Sequence, residues 1–274
     1  MLYRIVKNLG LLSLAVIPPA LWANATDRIA PAAVNFQADW TVKLDGVVVS
    51  DTDLNVNFDQ LRLDQCRGKN ADGFDDWRMQ AFVSVDGKPA VSYDLIGGQG
   101  TPFLYEQKTS IRVPKGRDLA LWFKGSDVTG CLEWDSNYGR NYHFAIQALG
   151  DLPVLDFRAD WSAVQSAPIH AGQAVRLHYD LARSTDCRFV GYRGTATWDV
   201  YPHVAVDGKS IALPAVTFAK AWNERGQQDV IFTVPSGRDL SIWFEAKGYE
   251  YYTGKGCQSF DSQFGQNFHF SIQM

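Results

Sequence analysis

The chain has 274 residues, of which 46% are hydrophobic, 13% aromatic and 20% charged, with a formal net charge of −4. That is enough apolar material for one large core or two of ordinary size. The acidic balance, with Lys and Arg scattered rather than clustered, argues against a nucleic-acid partner, whose phosphates need concentrated positive charge.

Residues 1–25, MLYRIVKNLGLLSLAVIPPALWANA, place Arg4 and Lys7 ahead of an apolar run and end in Ala23-Asn24-Ala25. This reads as a secretory signal peptide with a small-x-small cleavage site, so the mature chain is expected to begin near Thr26 and to be periplasmic or secreted. The run from Leu9 to Ala23 is broken by Pro18-Pro19 and falls short of the roughly 20 residues of a membrane span. No Cys lies near the cleavage point, which argues against a lipoprotein anchor. Removing the signal takes Lys+Arg from 26 to 24 against 30 Asp+Glu, a net charge of −6.

The mature chain then repeats itself. VNFQADW from Val34 returns as LDFRADW from Leu155, an offset of 121 residues. The same offset carries FDQLRLDQCR (58–67) onto YDLARSTDCR (179–188), VSVDGK (83–88) onto VAVDGK (204–209), and VPKGRDLALWF (113–123) onto VPSGRDLSIWF (234–244). Between Phe244 and Cys257 the offset grows to 126, so the second copy is five residues longer there. A period above 100 residues means whole domains rather than a solenoid. The expected units are 26–150 and 151–274, joined by the short linker Gly150-Asp151-Leu152-Pro153.

Cys66 and Cys131 in the first copy match Cys187 and Cys257 in the second. Four cysteines allow three pairings, and duplication favours one disulfide inside each unit. There is no CxxC and no Cys-His spacing suited to zinc, so neither a metal nor a cofactor is expected.

Within each copy the hydrophobic period is two. Trp77, Met79, Ala81, Val83 and Val85 alternate with Arg78, Gln80, Phe82 and Ser84, and Trp198, Val200, Pro202, Val204 and Val206 form the matching row. These are half-buried strands followed by the turn signals Asp86-Gly87 and Asp207-Gly208. Pro202 cannot donate to a ladder, so its strand is expected at an edge or bulged. Further strands are predicted near 34–42, 54–60, 118–124 and 141–147, with counterparts downstream, and no helical periodicity competes. The fold class is all-β: two tandem antiparallel β-sandwiches, immunoglobulin-like or jelly-roll-like, of about seven to nine strands each.

WDSNYGRNYHF (134–144) returns as FDSQFGQNFHF (260–270). The turn formers give a structural reading, in which Asp135 and an asparagine brace a tight connection, Gly139 takes a positive φ, and Tyr142, Phe144 and Ile146 face the core. Asp261, Gly265, Asn267, Phe268, Phe270 and Ile272 do the same downstream. A functional reading starts from the other face. Asn141, His143, Asn267 and His269 should point outward, where polar side chains suit sugar hydroxyls. Opposite the aliphatic rows of DLALWF and DLSIWF stand Trp122 and Trp243, flat rings able to stack on a sugar unless both faces of those strands are buried.

The run W-D-S-N-x-G-x-N-Y, Trp134 to Tyr142, resembles the C-terminal W-D-N-N-x-G-x-N-Y signature of the starch- and glycogen-binding modules of carbohydrate-binding family 21. That resemblance implies an immunoglobulin-like sandwich and α-glucan binding through aromatic residues. It covers about ten residues per unit, and the second copy departs from it at Phe260, Gln263 and Phe268. The overall pattern also resembles exported bacterial β-domains of unassigned function.

The lengthened loop of the second copy contains Tyr249, Tyr251 and Tyr252 between Gly248 and Gly254. Tyr supplies contact area at small entropic cost, so the loop reads as a recognition tip or as packing against the first unit. Asn70–Asp76 lacks the calcium-loop pattern and reads as a solvated acidic turn. His178, His203 and His269 are expected to face outward, but only His269 has a histidine counterpart, His143. GxSxG, HExxH and GxxxxGK[ST] are absent, and no catalytic residue is assigned. The expected function is non-catalytic binding, of a polysaccharide or else of a protein partner in the envelope, for example as a toxin-neutralising immunity protein.

Overall fold

The computed structural model describes residues 28–273. The signal peptide expected over 1–25 lies outside the described residues. Period-two burial builds a sandwich in each half. In the first, Ala32–Phe36, Val42–Asp45, Asp53–Phe58 and Thr109–Arg112 form a four-stranded sheet, and Trp77–Val85, Val91–Asp94, Asp118–Asp127, Leu132–Asp135 and Tyr142–Ala145 form a five-stranded one. Val34, Phe36, Leu54 and Val56 from one sheet meet Met79, Ala81, Leu119, Leu121 and Phe123 from the other in a single apolar core. In the second half, Val154–Phe157, Ala174–Tyr179 and Glu224–Thr233 pack over Trp198–Val206, Asp239–Glu250, Lys255–Asp261 and Phe268–Gln273 around Leu155, Phe157, Val204, Leu240 and Phe244. The expected disulfides are present, Cys66–Cys131 and Cys187–Cys257. Among the described residues no helix is long and apolar enough to cross a membrane.

The sheets are antiparallel for the most part, but each half also contains a parallel ladder, Ala32–Phe36 with Asp53–Phe58 and Val154–Phe157 with Ala174–Tyr179. The tight hairpin after Phe36 places Val42–Asp45 on one edge of the first strand, so the chain crosses over and enters on the other edge in the same direction. Pro202 sits where its missing N–H costs nothing. It is opposite Phe244 on one side, and the ladder on its other edge covers only Val204–Val206.

The first described residues do not join the first sandwich. Arg28–Ile29 pairs in parallel with Gln228–Asp229 of the second, and the Ala30 amide donates to the Asp229 carbonyl at 2.8 Å. Val49, Leu152, Ala174 and Ile231, with Ile29, Val47 and Leu149 against them, form a small apolar cluster that joins the halves.

The doubled hairpin is tied to a buried ion pair in each half. Asp135 was expected to brace its turn; instead it is 2% exposed and accepts from the Nε of Arg62, itself 3% exposed, at 2.7 Å. The Tyr142 hydroxyl donates to the other Asp135 oxygen at 2.5 Å, and Arg62 spans to the carbonyls of Gln37 and Thr41. Burial, with the Asp135 carboxylate beside it, pushes the Tyr142 phenol up to about 12, so it stays a donor. The second half repeats this with Arg183 and Asp261 at 2.7 Å and the carbonyls of Arg158 and Ser162. Its hydroxyl, however, comes from Tyr179, the counterpart of Phe58, while Phe268 replaces Tyr142. Both copies thus donate a tyrosine hydroxyl to the buried aspartate, but from different strands and to different oxygens: Tyr179 reaches, at 3.3 Å, the oxygen that the Nε of Arg183 also holds.

Candidate functional site

On the strand Asp118–Asp127, Leu119, Leu121 and Phe123 are buried and Trp122 is half-buried on the outer face. Its cross-strand neighbour is Phe82, and their rings lie nearly parallel, at 10° and 5.7 Å between centroids. Exposed Trp134 comes to 6.0 Å from Phe82, and the Lys124 ammonium lies 5.7 Å from the Trp134 ring. Three aromatic rings and a cation therefore share one outer sheet face.

The second sandwich builds the same face from equivalent positions. Trp243 is half-buried and parallel to its cross-strand neighbour His203, at 7° and 5.1 Å. Phe260 takes the place of Trp134 and is exposed, and Tyr201 lies beside Lys247, 5.6 Å from its ring. Where the first face has Lys124, the second has the buried Glu245. Its carboxylate accepts from His203 at 2.8 Å, pairs with Lys247 at 2.8 Å and also accepts from Gln258. Burial pushes this carboxyl up, but the hydrogen bonds from Lys247, Gln258 and His203 outweigh burial and hold it down at about 2. A depressed carboxyl stabilises the fold fully above its unfolded value, and the contribution is lost as pH falls through the folded one. The stability advantage of wild type over Glu245→Gln should thus disappear between pH 4.5 and about pH 2. Chemical denaturation at pH 6, 4 and 2 measures it, and an advantage that did not change with pH would contradict the network.

The hairpin residues are divided by the structure. Asn141 and Asn267 are not on the outward row of the strand, as the alternation suggested, but at its left-handed corner, with φ of 58° and 61°. Asn tolerates that conformation better than most residues. The amides of Asn141 and Asn267 donate to the carbonyls of Ser136 and Ser262 at 2.7 and 2.8 Å. His143 lies opposite Ala120, on the same face as Trp122, and His269 lies opposite Ser241, on the same face as Trp243. Both ring nitrogens of each histidine are engaged. His143 meets Asp118 at 2.7 Å and the Arg140 carbonyl at 3.0 Å, and His269 meets Asp239 at 2.8 Å and the Gln266 carbonyl at 3.0 Å. In this arrangement the histidines brace the hairpin against the neighbouring strand.

Tyr249, Tyr251 and Tyr252 are exposed at the tip where Asp239–Glu250 and Lys255–Asp261 extend beyond the counterpart hairpin. Tyr251 packs on Tyr192 at 5.6 Å and on Tyr252 at 5.5 Å, all within the second half. Tyr249 shares a strand face with Trp243, but six residues separate them, about 20 Å along a strand. The tip is thus separate from the Trp243 rings. The acidic turn is closed by Asn70, whose side-chain oxygen accepts from the amides of Asp72 and Phe74. His178 bonds Asp229 while His203 bonds Glu245. Among the described residues no group of three or more His, Cys, Asp or Glu is placed to hold a metal ion.

Phe82, Trp134, His203 and Phe260 complete the two faces, and none was singled out as a ring partner from the sequence. The available signal was the alternation that turns Phe82 and His203 away from the core, but which rings meet depends on strand register.

A family model described as a family of unknown function (DUF6209) matches residues 29–273. No curated protein and no solved structure matches the chain.

Proposed function

Since the chain belongs to DUF6209, a family of unknown function, we propose its role from its own surfaces: an exported, non-catalytic glycan-binding protein that uses the two outer sheet faces as aromatic platforms. The observation carrying this reading is the repetition of one face in both halves, Trp122 with Phe82 and Trp134, and Trp243 with His203, with Phe260 at the register position that Trp134 holds in the first. Half-buried rings held parallel to a cross-strand neighbour lose little freedom on binding, and their apolar area suits the C–H face of a pyranose. Lys124 on one face and Lys247 on the other put donors beside the rings. The likeness of Trp134–Tyr142 to the family 21 signature makes α-glucans the first ligands to test. Export rests on the signal-like residues 1–25, and two disulfides are consistent with an oxidising compartment.

The test is affinity electrophoresis of the mature protein through α-glucans and envelope glycans. Replacing Trp122 and Trp243 by alanine together is expected to weaken retention about tenfold or more, equivalent to about 1.4 kcal/mol. Equal retention of wild type and double variant would remove the platforms from the account. A protein partner is the second reading, favoured by the exposed tyrosine tip of the second half and by the acidic balance of the mature chain, which suits a basic surface. A stoichiometric periplasmic partner lost on replacing Tyr251 and Tyr252 by alanine would support it.

A further inference from the structure

Two tryptophans outside the sheet faces hold a backbone conformation that bulky residues rarely adopt. In the first half the chain turns through 37–41, with the Gln37 amide donating to the Thr41 carbonyl and the Trp40 amide to the Gln37 carbonyl, both at 3.0 Å. The second half repeats this through 158–162, where the Arg158 amide donates to Ser162 and the Trp161 amide to Arg158, again at 3.0 Å. The last loop residue of such a hairpin is left-handed and favours glycine. Here it is tryptophan twice, with φ of 68° at both Trp40 and Trp161.

Burial does not explain the choice, since Trp40 is 59% and Trp161 62% exposed. One side of each ring is supported by the buried arginine of that half, Arg62 at 4.7 Å and Arg183 at 5.1 Å. Side-chain hydrogen bonds close both turns. Asp39 accepts from the Thr41 amide and hydroxyl at 3.0 and 2.6 Å, and Asp160 from those of Ser162 at 3.0 and 2.5 Å.

A second ring belongs to the same end of each sandwich. The arginine that supports the tryptophan also bonds the aspartate that opens the doubled hairpin. At that hairpin's apex stand Tyr138 and Phe264, 96% and 105% exposed, with φ of 58° and 59°. An aromatic ring in water on a left-handed residue gains from neither packing nor backbone preference, yet both copies carry it. Such a local conflict without structural return is expected at contact sites.

We propose that the loop ends of the two sandwiches are a second pair of glycan-contact sites, Trp40 with Tyr138 and Trp161 with Phe264, distinct from the sheet faces. Each site offers exposed rings for a pyranose face, the tryptophan of each backed by its arginine, with Arg140 in the first hairpin and Gln263 and Gln266 in the second as hydroxyl partners. The sugar class rests on the glycan reading above; the location does not.

The test replaces Trp40 and Trp161 together by glycine, which suits the left-handed backbone, and in a second protein by tyrosine. Retention on the polysaccharide that holds wild type is expected to fall about tenfold for the glycine pair, with the β-sheet circular dichroism unchanged, and to stay near wild type for the tyrosine pair. If the glycine pair does not fold, Tyr138→Ala with Phe264→Ala decides, because those rings are fully exposed, and undiminished retention overturns the proposal. Wild-type retention by the glycine pair, with retention lost on replacing Trp122 and Trp243, would sink this inference and leave the sheet-face reading standing. Wild-type protein retained by no polysaccharide would sink both.

Discussion

Asp135→Ala is expected to destabilise the first sandwich by about 3–5 kcal/mol, the usual cost of leaving a buried charge without its partner. The Arg62 side chain is fully enclosed, and its remaining acceptors are the Gln37 and Thr41 carbonyls and the Tyr142 hydroxyl, none of which carries a charge to balance it. Asp261→Ala should act likewise on the second sandwich through Arg183. The duplication supplies a sharper form of the experiment. Tyr142→Phe removes the hydroxyl that donates to Asp135 and is expected to cost about 1–3 kcal/mol as an unsatisfied buried group. Adding Phe58→Tyr should recover much of that loss, because the second half delivers its hydroxyl from Tyr179 at the position equivalent to Phe58. Urea unfolding of the four proteins forms a double-mutant cycle. Strictly additive costs would show that the hydroxyl is not the shared requirement.

Removing either disulfide is the second large effect. Cys66–Cys131 and Cys187–Cys257 close loops of 65 and 70 residues, worth about 4 kcal/mol each in the chain-entropy model. Each bridge ties the segment after a strand of one sheet to the hairpin extending from the other, so its loss loosens the sandwich across its layers. Cys66→Ala with Cys131→Ala should lower the urea midpoint of the first half, and Cys187→Ala with Cys257→Ala that of the second. Unfolding curves that did not change under reductant would contradict this.

The pattern of elements was legible because it is local or repeated. Alternation in Trp77–Val85 and Trp198–Val206 placed the core rows, and the matched cysteines suggested their own pairing. Longer-range relations were not legible. Arg62 and Asp135 are 73 residues apart, and nothing near either announces a buried pair, although the recurrence of an arginine at Arg183 was a usable signal. The parallel ladders depend on which edge a returning strand takes, which alternation does not encode. Asn141 was read onto the strand because period two continues through it, whereas its left-handed φ ends the turn instead. For the candidate faces, alternation put Trp122 and Trp243 outside, but their partners Phe82 and His203 required the register. Trp40 and Trp161 escaped notice because a tryptophan at a glycine-favouring loop position looks like any other strand-end aromatic until the backbone is seen.

The most direct measurement is retention of the mature wild-type protein on a broad panel of polysaccharides, beside the variant lacking the Trp122 and Trp243 rings. Selective retardation by at least one glycan, largely abolished in that variant while its fold persists, is the predicted result. Passage of wild type through every glycan at the mobility of an inert control would contradict it.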